Sequence, residues 1–334
     1  MLSGSPVIDA HHHFLPRAVL DRLREEAHGA PRLVNDRISI TLTADLADPA
    51  VHLRTMDEGG VDAAVLTYSG VSVLGMDVCR QLNDGFASLQ EEHRGRFYGS
   101  VHVCLHEPEL APAELRRGAS ELGLRAVALA TSEAAITLDQ PSLDPVWQTI
   151  SELDLPVILH PALLPQGAST DYSLERSCYR PFDTTTAAVR LLQGVLPRFP
   201  NLRIVLPHIG GTAIFLRGRI AMFYEPAGWT GTHQRGAAKS VREQQRLGLA
   251  DTFEEGWSKF FFDTAGTGGW SPAVEMATRV VGPERLLFGS DYPLESHSGD
   301  TVRELVDMIE GLPLSLAERQ QIGGQNAARL FGLQ

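Results

Sequence analysis

One short segment near the start of the chain reads Val7-Ile8-Asp9-Ala10-His11-His12-His13, which begins on an apolar strand and runs out of its C-terminal end into three histidines. Side chains alternate between the two faces of a strand, so His11 and His13 point to one side and His12 to the other. Two imidazoles on one face form half of a metal site. A tag remnant or a polar turn is the alternative, but the run has only three histidines and follows an apolar strand.

Seven further runs rich in β-branched or aromatic residues recur along the chain, separated by amphipathic stretches. Most are apolar without alternation, which is typical of parallel strands buried on both faces. A repeated strand–helix pattern with eight strands predicts a (β/α)₈ barrel. The predicted strands are residues 6–8, 63–68, 97–103, 125–130, 156–160, 203–208, 260–263 and 285–288, and the main predicted helices are 74–93, 108–121, 143–153, 184–196 and 271–281.

Length and composition agree with one large barrel. The chain has 334 residues, 43% of them hydrophobic and 21% charged, which excludes a disordered chain and a small disulfide scaffold. No linker or repeat divides it, so we predict a single domain over residues 1–334. The excess over the roughly 250 residues of a typical barrel falls into insertions at 17–46, 163–183 and 225–257, all on the C-terminal face. A closing helix is predicted over 315–333, where Ser315 and Glu318 form a capping-box pattern.

The charge balance points to small-molecule partners. The chain has 29 basic and 41 acidic residues, a net charge of −12, which argues against nucleic acid and anionic lipid as partners. Three widely spaced cysteines indicate neither a disulfide framework nor a cysteine-rich zinc site. No apolar run approaches the roughly 20 residues of a membrane helix, and the start of the chain has no signal-peptide pattern. We therefore expect a cytoplasmic protein.

Three other predicted strands end in residues that bind metals. One strand ends at His160, another leads into Pro207-His208-Ile209-Gly210-Gly211, and the last is followed by Asp291. Taken singly, each histidine is equally compatible with a hydrogen-bonded core residue, and a lone aspartate after a strand is more often a helix cap or a turn former. Barrel enzymes place their ligands and bases at the C-terminal ends of strands, so the whole set predicts one site at one rim.

These segments resemble the amidohydrolase superfamily, and within it the branch of aminocarboxymuconate-semialdehyde and γ-resorcylate decarboxylases. The resemblance covers nearly the whole chain, in residues 8–16, 56–62, 157–161, 199–203, 207–211, 289–293 and 326–331.

The resemblance implies that one divalent metal is bound by His11, His13, His160 and Asp291, and that His208 is the catalytic histidine, with Asp291 as its partner. A mixed set of histidine and carboxylate ligands suits Zn²⁺, and these ligands also suit Mn²⁺ or Fe²⁺. The two-metal members of the superfamily use a lysine at the end of the fourth strand. Residues 125–131 contain no lysine here, so a single metal is expected.

Substrate-binding residues are less well specified. Some decarboxylases of this branch have glutamate where this chain has His11. The substrate-binding arginine of the aminocarboxymuconate enzymes has no aligned match in residues 36–48, and Arg37 is shifted, so the resemblance does not extend to that substrate. Arg219 aligns with an arginine that reaches the neighbouring subunit's site, which implies a homodimer. A surface helix arginine is the alternative.

Other residues in the insertions are candidates on chemical grounds. Arg176 and Arg180 can pair with a substrate carboxylate, or remain solvated in a polar loop. Trp270 can stack on a planar ring or pack against the barrel rim.

Two enzymatic mechanisms fit these residues. As a decarboxylase, the protein would hold a small aromatic or unsaturated carboxylic acid on the metal while His208 protonates the carbon that loses CO₂. As a hydrolase, it would use the metal to lower the pKa of a water that attacks a lactone, amide or ring C–X bond. We favour decarboxylation because of the branch that the chain resembles. A non-catalytic barrel that only binds a ligand is a minor alternative.

Overall fold

The computed structural model describes residues 4–34, 39–133, 136–161, 176–224 and 252–333. Eight parallel strands follow one another around a sheet in chain order. They are β1 (Ile8–His13), β2 (Ala63–Thr67), β3 (Phe97–His102), β4 (Ala126–Ala130), β5 (Val157–His160), β6 (Ile204–Leu206), β7 (Phe260–Asp263) and β8 (Leu286–Leu287). The sheet closes where Ala10 N–H donates to Phe288 O and His13 N–H donates to Tyr292 O, both at 2.8 Å. The predicted (β/α)₈ barrel is confirmed.

Helices cover the outside of this barrel. They are α1 (Arg17–Glu26), α2 (Pro49–Gly59), α3 (Met76–Glu92), α4 (Ala111–Ser120), α5 (Asp144–Leu153), α6 (Arg176–Arg190), α7 (Ala213–Tyr224), α8 (Phe253–Trp257), α9 (Ser271–Val281), α10 (Gly299–Glu310), α11 (Leu316–Gln320) and α12 (Asn326–Phe331). None of these described helices is long and apolar enough to cross a membrane.

Two helix predictions needed correction. The helix predicted over 184–196 starts earlier, at Arg176, and passes into a π-helical turn at Leu191–Val195. The closing helix predicted over 315–333 is divided by a second π-helical turn at Gln321–Gln325. Its predicted start is confirmed, because the Ser315 side chain accepts from Glu318 N–H and the Glu318 side chain accepts from Ser315 N–H.

The insertions are described only in part. The first contains α1 and an antiparallel pair of strands, Arg32–Val34 and Ser39–Thr41. Of the second, the structure describes the residues that begin α6, so Arg176 and Arg180 lie on a helix and not in the polar loop considered as their alternative. Arg37, residues 163–175 and residues 225–251 lie outside the described residues.

A bulge in β1 sets which of its side chains face the barrel interior. Ile8 and Asp9 pair with Ala63 and Ala64, but His12 pairs with Leu66, so β1 holds one extra residue between these pairs. An extra residue reverses the alternation of side chains along a strand. Ile8 and Ala10 therefore fill the interior at the start of the strand, and His11 and His13 face it at the end.

The N-terminal end of the barrel is closed by apolar packing. Its interior residues form one buried cluster with the last helix, which contributes Leu330 and Phe331. The cluster consists of Ile8, Ala10, Ala63, Val65, Ala126, Ile158, Val205, Leu287, Ala327, Leu330 and Phe331. Polar interior side chains are thus left to the opposite, C-terminal end.

Candidate metal centre

Four predicted residues meet at the C-terminal end of the barrel. His11 and His13 end β1, His160 ends β5, and Asp291 lies four residues beyond β8. All four are buried, and one ligand atom of each lies within 4.8 Å of the others. This is the arrangement that a metal site requires.

Hydrogen bonds fix which ring nitrogen of each histidine carries the proton. His11 Nδ1 lies 2.8 Å from Asp263 Oδ2, His13 Nδ1 lies 3.2 Å from Thr67 O, and His160 Nδ1 lies 2.9 Å from Pro161 O. A carboxylate or carbonyl oxygen only accepts, so each Nδ1 donates. The Nε2 lone pairs of neutral imidazoles are then free to bind a cation, as in most histidine metal sites.

These Nε2 atoms converge on the Asp291 carboxylate. His13 Nε2 lies 2.9 Å from Asp291 Oδ1 and 3.1 Å from His11 Nε2. His160 Nε2 and both Asp291 oxygens are buried without a hydrogen-bond partner. Lone pairs facing one another in a buried site repel unless a positive charge lies between them, so the donor set fits a divalent cation.

The pKa shifts agree with a site that requires positive charge. Burial lowers the pKa of His11, but the charges of Asp263 and Asp291 outweigh burial and raise it to about 9. Burial lowers the pKa of both His13 and His160. Burial acts to raise the pKa of Asp291, but the neighbouring histidines hold it well below its usual value. His13, His160 and the ionised Asp291 are therefore in the states that bind metal, whereas a cation would have to displace the proton that the raised pKa leaves on His11.

His208 faces the site from a strained turn and not from a strand. β6 ends at Leu206, and His208 (φ 55°, ψ 51°) and Ile209 have left-handed backbone conformations, so the predicted strand 203–208 is too long at this end. The His208 ring stacks on His11 at 5.2 Å between centroids, and its Nε2 lies 3.4 Å from Asp291 Oδ2 without hydrogen-bond geometry. A Cβ on Gly266 would lie 2.7 Å from His208 Cγ, so this position needs glycine.

Asp263, the last residue of β7, was missed by the sequence analysis. Its Oδ2 accepts from His11 Nδ1, and its Oδ1 accepts from the backbone N–H of His208 at 2.8 Å. One buried carboxylate thus orients a proposed ligand and holds the strained turn of His208. Its signal was present in the sequence, because it ends a strand as His160 does.

Tyr68 is a second residue that sequence reasoning missed. It follows β2, and its ring packs edge-on against His13 at 5.9 Å between centroids. Its backbone N–H donates to Nε2 of the buried His102 at 2.9 Å. Burial and the charge of Asp291 raise the pKa of its phenol, so the hydroxyl keeps its proton. That hydroxyl makes no hydrogen bond with any described residue, which leaves a donor free beside the site.

The predicted substrate-binding residues lie in different surroundings. Arg180 Nη1 is 3.8 Å from the carboxylate of Glu295, which itself lies within 4.8 Å of ligand atoms of His208 and Asp291. Arg180 therefore reaches the mouth of the site. Arg219 is exposed on α7, and Trp270 is 66% exposed before α9. Arg176 begins α6, and its side chain lies outside the described residues.

A buried carboxylate, Glu133, lies three residues beyond the end of β4, and residues 126–133 contain no lysine. Glu133 is 3% exposed and accepts from Leu105 N–H at 3.0 Å through Oε2, while its Oε1 has no partner. Burial raises its pKa from 4.5 to about 8. It is not part of the four-residue cluster.

Replacing Glu133 with glutamine is expected to stabilise the protein above neutral pH. Folded Glu133 keeps its proton up to about pH 8, whereas the unfolded chain loses it near 4.5, so its contribution to stability is lost as pH rises between these values. We expect the gain in free energy of unfolding to be roughly 1–3 kcal/mol larger at pH 8 than at pH 5. Urea unfolding at both pH values measures it, and an equal effect at both would contradict the assignment.

A protein-family model with the description "Amidohydrolase" matches residues 8–333. Among curated relatives, the chain is 28% identical to a γ-resorcylate decarboxylase of Polaromonas sp. (strain JS666 / ATCC BAA-500), over 86% of this chain and 88% of the relative. It is 24% identical to a 2-amino-3-carboxymuconate-6-semialdehyde decarboxylase of Dictyostelium discoideum, over 98% of this chain and 91% of the relative.

Solved structures share the fold. A 5-carboxyvanillate decarboxylase from Sphingomonas paucimobilis superposes with a TM-score of 0.80 at 23% identity, covering 99% of this chain and 100% of that one. A dihydroxybenzoic acid decarboxylase from Polaromonas sp. JS666, solved with bound manganese and the inhibitor 2-nitroresorcinol, has a TM-score of 0.75 at 24% identity, covering 98% of this chain and 97% of that one.

Proposed function

Because the chain belongs to the amidohydrolase family, we propose that it is a metal-dependent decarboxylase of a small aromatic carboxylic acid. The observation that carries the metal requirement is the convergence of three imidazole nitrogens on one buried carboxylate. Decarboxylation is favoured over hydrolysis because the curated relatives reported above are decarboxylases.

The proposed ligands are His11, His13, His160 and Asp291, which would hold one divalent metal. Zn²⁺ suits this donor set, and the manganese in the Polaromonas structure makes Mn²⁺ the first competitor. When bound, such a metal supplies a positive charge that orients and polarises an oxygen of the substrate.

His208 is the proposed proton donor. Its Nε2 is not needed for the four-residue cluster and lies beside Asp291. In the proposed reaction, His208 Nε2 gives a proton to the ring carbon that bears the carboxylate. The carbon–carbon bond then breaks, its electron pair returns to the ring and CO₂ leaves. His208 regains a proton from solvent, so one proton is consumed in each turnover. Such proton transfer typically contributes about 10²–10⁴-fold to a rate.

Two residues are proposed to bind the substrate. The hydroxyl of Tyr68 would donate to a substrate oxygen beside His13. The guanidinium of Arg180, which contacts Glu295 at the mouth of the site, would pair with a second substrate oxygen. Their positions match a small acid whose oxygens point both toward the metal and outward.

Replacing Tyr68 with phenylalanine tests this binding role. Loss of one hydrogen bond to a bound oxygen is expected to raise KM by about 10-fold with a smaller change in kcat. Steady-state kinetics measure both constants, and thermal melting serves as the control for folding. An unchanged KM would remove Tyr68 from the substrate site.

The reaction type is decided by separating CO₂ release from hydrolysis. Metal-replete protein would be incubated with 2,6-dihydroxybenzoate, other aromatic and unsaturated acids, lactones and amides. We expect CO₂ release from at least one aromatic acid, absent in the His208→Ala variant. Hydrolysis of a lactone or amide without CO₂ release from any acid would overturn the proposal.

A homodimer is also proposed, with α7 at its interface. This helix is rich in apolar residues, although it also contains two arginines, yet only Ala213, Ile214 and Tyr224 are buried, and Phe215 is 78% exposed. Helices of this kind are normally covered, and large exposed apolar patches mark interaction sites. A second copy would cover the patch and bring Arg219 to the interface.

Replacing Phe215 with aspartate is expected to dissociate this dimer at micromolar concentration. A charge in the centre of an apolar interface is strongly unfavourable. Sedimentation velocity measures the effect, with Leu316→Asp, an exposed leucine on α11, as the matched control. A wild-type protein that sediments as a monomer would contradict the proposal.

A further inference from the structure

His12, the middle histidine of the triplet, has no place in the proposed metal centre. It is nevertheless 1% exposed and fully hydrogen-bonded on the outer face of β1. We propose that Asp9, His12 and His52 form a positioning network that holds Asp291 against the histidines of β1. This inference rests on the proposed metal centre.

Asp9 joins the two segments that carry the proposed ligands. Its Oδ1 accepts from Ser290 N–H at 3.0 Å and from His11 N–H at 3.1 Å. Its Oδ2 accepts from Ser290 Oγ–H at 2.5 Å. One buried carboxylate therefore ties the residue before Asp291 to the backbone of His11, on the side of the strand away from the proposed metal centre.

His12 and His52 hold this carboxylate in place. His52 Nε2 lies 3.0 Å from Asp45 O and must donate to it, which leaves His52 Nδ1 as an acceptor. His12 Nε2 therefore donates to His52 Nδ1 at 2.8 Å, and His12 Nδ1 donates to Asp9 Oδ2 at 3.0 Å. These two bonds need a proton on each ring nitrogen of His12, so its contact with the Asp9 carboxylate is a charge-assisted hydrogen bond. The network reaches from helix α2 to the loop of Asp291.

Asp291 needs such support because its backbone is strained. It has φ 53°, a left-handed conformation that non-glycine residues keep only where their surroundings enforce it. Its N–H donates to His11 O at 2.9 Å, and Asp9 holds the preceding Ser290 through two hydrogen bonds. If the network were lost, the loop could relax and Asp291 would move away from the three Nε2 atoms.

A purely structural role for these residues makes a different prediction. A satisfied polar cluster in the core would affect the stability of the fold without affecting the metal affinity selectively. If the residues form a positioning network, a variant should lose more metal affinity than a control variant with the same loss of folding stability. Loss of such outer partners typically costs about 10–100-fold in metal affinity or activity.

The test compares two replacements of His52. Glutamine keeps one acceptor and one donor at similar spacing, whereas leucine keeps neither. Val302→Ala is the control, because Val302 packs against Gly59 of the same helix and its apolar side chain cannot hydrogen-bond to the network. The Kd for Mn²⁺ would be measured in the full-length proteins by competition with a chelator, together with kcat and thermal melting.

We expect His52→Leu to weaken Mn²⁺ binding at least about 10-fold. His52→Gln should restore most of the affinity, and Val302→Ala should lower the melting temperature with unchanged affinity. Should the His52 variants fail to fold, Ser290→Ala removes one hydrogen bond of Asp9 and is expected to weaken binding in the same direction.

Wild-type affinity in His52→Leu or Ser290→Ala, or equal losses in the leucine and glutamine variants, would overturn the inference while leaving the metal centre intact. A wild-type protein that binds no Mn²⁺ or Zn²⁺ would overturn the proposed function and this inference together.

Discussion

Replacing Asp291 with asparagine is expected to lower kcat by about 1000-fold or more. The carboxylate lies 2.9 Å from His13 Nε2 and 3.4 Å from His208 Nε2, so it contacts both a proposed metal ligand and the proposed proton donor. Asparagine has nearly the same shape but no negative charge. The variant should therefore fold, bind the metal more weakly and release almost no CO₂.

The matched control for this variant is Asp300→Asn, an exposed aspartate at the start of α10. It should keep the wild-type rate. CO₂ release and metal content would be measured in parallel for both variants. A rate for Asp291→Asn within tenfold of the wild type would show that the cluster is not the site of the reaction.

Replacing His208 with alanine is expected to abolish CO₂ release while leaving the metal bound. His208 contacts His11 and Asp291 but is not one of the four clustered residues, so its loss should remove the proposed proton donor, a change of about 10²–10⁴-fold in rate, without removing a proposed ligand. His11→Ala, by contrast, should lose much of its metal because His11 belongs to the cluster.

Because His208 is left-handed, a second variant is needed to separate its ring from its backbone. Asparagine tolerates this conformation better than alanine does. Equal losses of rate in the alanine and asparagine variants would assign the loss to the imidazole. Wild-type turnover in either, or loss of the metal in both, would contradict the assigned role.

Much of the fold could be predicted because strand ends in a barrel are readable from sequence. Residues at or just after the ends of apolar runs, among them His13, His160 and Asp291, were expected at one rim, and the structure brings these side chains together there. Their role as metal ligands stays a proposal. That residues 1–334 form one domain stays a prediction. The predicted strand ends were less accurate where the backbone turns sharply after the strand, as it does before His208. Left-handed conformations of non-glycine residues have no clear sequence signal.

The residues that support the site were harder to find. Tyr68 and His52 act through contacts with residues far away in the chain, and no local pattern reports such contacts. Asp263 did carry a signal, its position at the end of a strand, but its partners His11 and His208 are also distant in sequence. The outward direction of His12 was predicted correctly, but not its partners, because Asp9 and His52 meet it only after the barrel closes. Arg176 and Arg180 lie on helix α6 in the structure, whereas the polar sequence around them suggested a loop.

The measurement that tests the metal-dependent decarboxylase most directly is a titration of chelated protein with Mn²⁺ or Zn²⁺ while CO₂ release from an active aromatic acid is followed. We predict no CO₂ release before metal is added and a linear increase that stops at one equivalent per chain. CO₂ release that is unaffected by chelation and by added metal would contradict the central claim, and an end point at two equivalents would contradict the single-metal site.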